Sequence, residues 1–87
     1  MYQVLNDPNV KLDLAIDGVN KVAVPRWVWW SDNTYKVKEV GAVYSERRGQ
    51  TKIHIFCVNV GALDMTIELD PTSMAPRLIA ISDGLAD

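Results

Sequence analysis

Along most of the chain, apolar and polar side chains change places at every second residue, the period of a strand with one face on a core. Val10, Leu12, Leu14 and Ile16 alternate with Lys11, Asp13, Ala15 and Asp17. Asp17-Gly18 is a strong hairpin signal, because both residues tolerate positive φ. Val19 to Val24 then returns as a second strand, and Pro25 is expected to end its pairing or hold it at an edge. Arg26 to Trp30 reads as a third strand, dense in aromatics. Ser31-Asp32-Asn33 has the side chains of a turn that accepts left-handed backbone.

Thr34 to Val40 predicts a fourth strand, with Tyr35 and Val37 on one face and Lys36 and Lys38 on the other. The alternation slips at Val40, and Gly41 marks a bulge or bend leading into Ala42-Val43-Tyr44. Glu46 to Gln50 reads as a hairpin tip turned by Gly49. Thr51 to Val60 is the longest strand, with Ile53, Ile55 and Cys57 on one face and Phe56, Val58 and Val60 on the other. Apolar residues on both faces predict a strand covered twice. Leu63 to Asp70 alternates most cleanly: Leu63, Met65, Ile67 and Leu69 against Asp64, Thr66, Glu68 and Asp70. Pro71 to Pro76 predicts a connection with one helical turn, Arg77 to Ser82 a last strand, and residues 83–87 a frayed tail. No window of a dozen residues carries a helical stripe.

The expected fold is therefore all-β: a small antiparallel meander of six to eight strands, closed as a barrel or a two-layer sandwich. Such closure removes edges, which guards a small protein against aggregation. At 87 residues the chain predicts a single domain spanning 1–87.

Net charge is only −2, but the charges are segregated. Residues 1–20 sum to −2, residues 21–54 to +4 and residues 55–87 to −4. A basic middle between acidic ends fits strands that neutralise each other across a sheet, and it also fits a partner patch.

No pattern for catalysis emerges, so the chain is read as a non-enzyme. A nucleophile needs a base within hydrogen-bond reach. The single histidine, His54, and the single thiol, Cys57, lie three residues apart on one strand and so face opposite ways. Cys57 reads as a small apolar core residue and His54 as a strand-face residue. Asp64 and Glu68 would stand roughly 13 Å apart along their strand, too far for a glycosidase pair. The carboxylate stripe reads as a solvated polar face, and no metal-ligand spacing, phosphate loop or cofactor motif occurs. A lone cysteine excludes an intramolecular disulfide, and no window approaches the length of a membrane span. With no signal segment at Met1 to Val10, a cytoplasmic location is the expectation.

The one constellation with binding chemistry is aromatic and basic: Trp27, Trp29, Trp30, Lys36, Lys38, Arg47, Arg48, Lys52 and His54. Aromatic rings beside cations on a small β-fold suit single-stranded nucleic acid. The same residues also suit large rings covering a small core with lysine stems lying over them. The leading functional expectation is a non-catalytic interaction module that self-associates or binds a protein, because the apolar strands outrun the elements available to cover them.

From Trp27 to Leu69 the chain also resembles short uncharacterised bacterial β-rich proteins. The shared spacing is an aromatic strand (Trp29 or Trp30), then Tyr35, Val37 and Val40, an Arg47-Arg48-Gly49 hairpin tip, and Glu68-Leu69. Ile67 stands where those proteins carry an aromatic residue. The resemblance implies a β-meander and carries over neither an activity nor a site residue.

Overall fold

The fold was read from a computed structural model, which describes residues 2–16, 18 and 23–83. Its eight strands are β1 (Tyr2–Asp7), β2 (Val10–Ile16), β3 (Ala23–Trp30), β4 (Asn33–Lys36), β5 (Glu39–Arg48), β6 (Thr51–Asn59), β7 (Leu63–Asp70) and β8 (Ala75–Asp83). They form two antiparallel sheets, a five-stranded one in the order β1-β8-β7-β6-β5 and a three-stranded one in the order β2-β3-β4. Among the described residues no helix is long and apolar enough to cross a membrane.

The strands follow the alternation in the sequence, and the turns follow its special residues. Ser31 and Asp32 both take positive φ, 53° and 61°, and close the β3–β4 hairpin in two residues. Gly49, at φ 62°, turns β5 into β6. After β7, the Met74 N–H donates to the Asp70 carbonyl and the Thr72 N–H to the Asp70 carboxylate, making a single helical-type turn. Gly41 lies where the β5–β6 register shifts between Val40 and Val43, the bulge its position implied.

The chain changes sheets within two residues. The Val37 N–H donates to the Arg26 carbonyl on β3, and the next amide, Lys38, donates to the Asn59 carbonyl on β6. Thr34 to Val40 is thus not one strand. Its lysines part company here, because the backbone must switch partners between them.

Residues directly opposite on antiparallel strands share a face. On the five-stranded sheet, Phe56, Ile67 and Leu78 form one inward row, and Val58, Met65 and Ile81 form the next. Val10 and Val28 from the smaller sheet join Phe56, Val58, Met65, Ile67 and Leu78 in one buried cluster. Leu12, Leu14, Trp30 and Tyr35 pack around it. The cluster is wholly apolar, and no buried side-chain nitrogen or oxygen among the described residues lacks a partner.

Several expectations are corrected. Among the described residues neither sheet closes: β1 and β5 bound the larger, β2 and β4 the smaller, so edges remain. Tyr2–Asp7 forms a strand that its mixed composition hid. Pro25 neither ends a strand nor marks an edge; it lies buried within the central strand β3, and Arg26 beside it is the extra residue of a bulge. β6 is not covered twice by sheets. Ile53 and Ile55 are buried on its outer face, where no second sheet of the described residues packs. Asp83 closes β8; the remainder of the expected tail, 84–87, lies outside the described residues, as do Asp17 and most of the expected 19–24 strand.

Ile67 and Leu78 are fully buried where the sheets meet. Truncating either to alanine should cost about 2–5 kcal/mol. A domain of this size holds only about 4–13 kcal/mol in total, so denaturant melts should show a large loss in either variant. Ala42→Ser on exposed β5 should fall within about 0.5 kcal/mol of the parent.

Candidate binding surfaces

Of the nine residues singled out from the sequence, Trp30 points inward and the other eight separate onto three surfaces. On the outer face of the smaller sheet, cross-strand pairing builds two rows, Lys11–Trp29–Thr34 and Asp13–Trp27–Lys36. Trp27 is half-buried and Trp29 is 40% exposed. The two indoles stand about 7 Å apart along one strand and point the same way. Trp30, one residue on, points inward: its indole N–H donates to the Asp7 carboxylate at 3.0 Å, and its ring lies 6.5 Å from that of Tyr35. Trp30 is thereby structural, tying the end of β1 to β3.

Two grooves flank the tryptophan rows. One, of about 640 Å³, runs along Lys11, Trp29, Ser31, Asp32 and Thr34. The other, of about 300 Å³, is lined by Arg26, Trp27, Lys36 and the chain from Val37 to Val40. Lys38 borders it, but its ammonium group reaches across Gly61 on the β6–β7 turn. Among the described residues, Lys11, Arg26 and Lys36 form no ion pair.

The β5–β6 hairpin separates the remaining residues by strand parity. Arg47, Lys52 and His54 share the inner side, where Arg47 faces Lys52 and Ser45 faces His54. The Arg47–Lys52 pair sets like charges opposite each other, an unfavourable arrangement in an isolated hairpin. The smaller sheet does not reach this far: Val43, Ser45, Arg47 and Lys52 are exposed.

Arg48 is on the opposite side. It donates to both Glu68 oxygens, at 3.0 and 2.7 Å, and to Glu46 at 3.3 Å. To reach β7 from β5 it must span β6, and so it helps cover the outer isoleucines. The two carboxylates push the guanidinium pKa up, Glu68 more strongly. Glu68 itself is only 12% exposed. The expected solvated stripe on β7 is therefore corrected: Asp64 accepts from the Asn59 amide at 2.8 Å, Glu68 is held by Arg48, and Asp70 caps its turn.

Cys57 is likewise not in the core. It is half-buried on the outer face, its sulfur 4.0 Å from the Thr66 hydroxyl, and it lines a shallow groove of about 290 Å³ with Glu39, Asn59, Asp64 and Thr66. His54 faces the other side of β6, consistent with their spacing in sequence. No group of three or more metal-binding side chains occurs among the described residues.

Sequence reading missed Lys11 and Arg26 as neighbours of the tryptophans. The register that sets Lys11 opposite Trp29, and the bulge that displaces Arg26, are pairing facts with no local motif. Comparison with protein-family models, curated proteins and solved structures finds no match.

One linkage between the sheets is open to a direct test. Hydrogen bonds from the Asn9 amide and the Trp30 indole hold the Asp7 carboxyl below its ordinary value of 3.8. A depressed folded-state value stabilises the fold above the unfolded value, and that contribution is lost as pH falls through the folded one. Asp7→Asn should therefore melt lower than the parent at neutral pH, with the gap narrowing below about pH 4. Thermal melts followed by circular dichroism across that range check both parts.

Proposed function

We propose that this protein is a non-catalytic interaction module, a two-layer β-sandwich that self-associates by pairing β5 of one copy with β5 of another. The observation that carries this reading is the open edge of the larger sheet. β5 is ten residues long, pairs among the described residues with β6 alone, and is exposed at nine of those ten positions. The other edge strands are shorter: six residues in β1, seven in β2 and four in β4. β1 is interrupted as well, with a register shift between Val4 and Asp7 and a positive φ at Asn6.

A row of unpaired amides and carbonyls is a ready template for another strand. The bulge that blunts β5 is confined to its start, leaving Val43 to Arg48 in regular register. Val43 is 43% and Tyr44 51% exposed, one on each face, so an added strand would shelter both. The strand opens on Glu39 and ends on Arg47 and Arg48. Antiparallel pairing of two copies brings the acidic start of each towards the basic end of the other, whereas parallel pairing sets like ends together. Symmetric closure through one edge also stops at two copies, which suits a protein that must avoid fibres.

Light scattering behind a sizing column tests the proposal at two protein concentrations. The parent should run at twice the chain mass of 9.7 kDa at the higher concentration. Val43→Lys with Tyr44→Lys places charge on both exposed sides of the edge and should give a folded monomer. A parent that stays monomeric at every concentration would refute the proposal.

A further inference from the structure

We infer that the outer face of the three-stranded sheet is a binding site for single-stranded nucleic acid, with bases stacking on Trp27 and Trp29 and phosphates held by Lys11, Arg26 and Lys36. This site is independent of the β5 edge and lies on the other sheet.

A small sheet needs large inward rings to fill its core, and Trp30 and Tyr35 supply them. Trp27 and Trp29 point away from that core, and Trp29 is 40% exposed on the outer face. Two rings at every second position of one strand form a ladder with a step of about 7 Å. An extended nucleotide chain presents successive bases on a comparable step, and every base has a face able to stack on an indole.

Charge selects the ligand class. Lys11 adjoins Trp29, Lys36 adjoins Trp27, and Arg26 lines the groove beside Trp27. Among the described residues these three form no ion pair; with Lys38 they make four cations in the rows and grooves, against the carboxylates of Asp13 in the rows, Asp32 at the β3–β4 turn and Glu39 at the start of β5. Most of the chain's negative charge is elsewhere: Asp64, Glu68 and Asp70 lie on β7 of the other sheet. Rows and grooves together are thus slightly positive, in a chain whose overall charge is −2. A neutral sugar would stack on the same rings and find Asn9, Asp32 and Asn33 in the larger groove, but its binding would be indifferent to salt and to the charge of Lys11 and Lys36, which the test below reads. The grooves at the two ends, about 640 and 300 Å³, are continuous with Trp29 and Trp27 and give the strand a path across the face.

The test is fluorescence anisotropy of a short fluorescein-labelled oligothymidylate titrated with the full chain at several salt concentrations. Binding should be strongest at low salt, with a log–log salt slope of about −2 for three phosphate contacts on a single strand. Trp29→Ala should weaken it about tenfold or more. Because Trp29 is outside the core, this variant should remain folded. Lys11→Glu with Lys36→Glu should abolish binding and flatten the slope without removing either ring. Val43→Lys with Tyr44→Lys should leave it intact. No anisotropy rise at low salt would overturn the inference. So would equal binding of a duplex of the same length, or binding indifferent to Trp29→Ala, since either would mean cations attracting phosphate without stacking.

Discussion

Val28, with no exposed surface, seats the three-stranded sheet on the row formed by Phe56, Ile67 and Leu78, and the remaining features of the molecule follow from how far that contact extends. Three strands cannot cover five. The contact shelters the inner faces of β6, β7 and β8 and reaches β5 only at Val40, leaving 41–48 exposed. The abrupt change of sheet at Val37 and Lys38 sets this geometry, because consecutive amides bond β3 and then β6. The same hinge holds the sheets together at one end, while the Trp30–Asp7 hydrogen bond joins them at another.

Where no second layer exists, side chains of the larger sheet shelter their neighbours. Tyr44, Ile55, Glu68 and Arg77 line up across four strands on its outer face. Arg48 reaches across β6 to Glu68 and helps bury Ile53 and Ile55 by its own length. This solution works for the middle of a sheet and fails at its margin. Among the described residues β5 has a neighbour on one side only, and Val43 and Tyr44 stay exposed. The smaller sheet carries the opposite imbalance, with two indoles on a face that has no layer to cover.

Much of this was legible in the chain, and the failures have particular causes. Strand period and turn chemistry are local, so Leu63 to Asp70, the Ser31-Asp32 turn and the Gly49 tip could be read directly. Parity alone separates Trp29 from Trp30, and it would equally have separated Arg47 from Arg48 once both were placed on a strand instead of at a tip. What the period cannot supply is which side of a strand meets another layer. Cys57 and Ile55 share a face that looked like core, yet that face has no second sheet. Pro25 looked like a strand end because its missing N–H forbids regular pairing, and a bulge absorbed the defect. The partnership of Lys11 with Trp29 depends on register between strands and is invisible to any local pattern.

In the proposed dimer, a second copy completes the open edge of β5. Amide hydrogen exchange, followed by mass spectrometry on β5 peptides at low and high protein concentration, tests it most directly. Protection across Val43 to Arg48 should rise with concentration, while β6 and β7, bonded on both sides already, should exchange slowly and equally in both samples. Exchange in β5 that is the same at both concentrations, or added protection that falls on β1 instead, would contradict it.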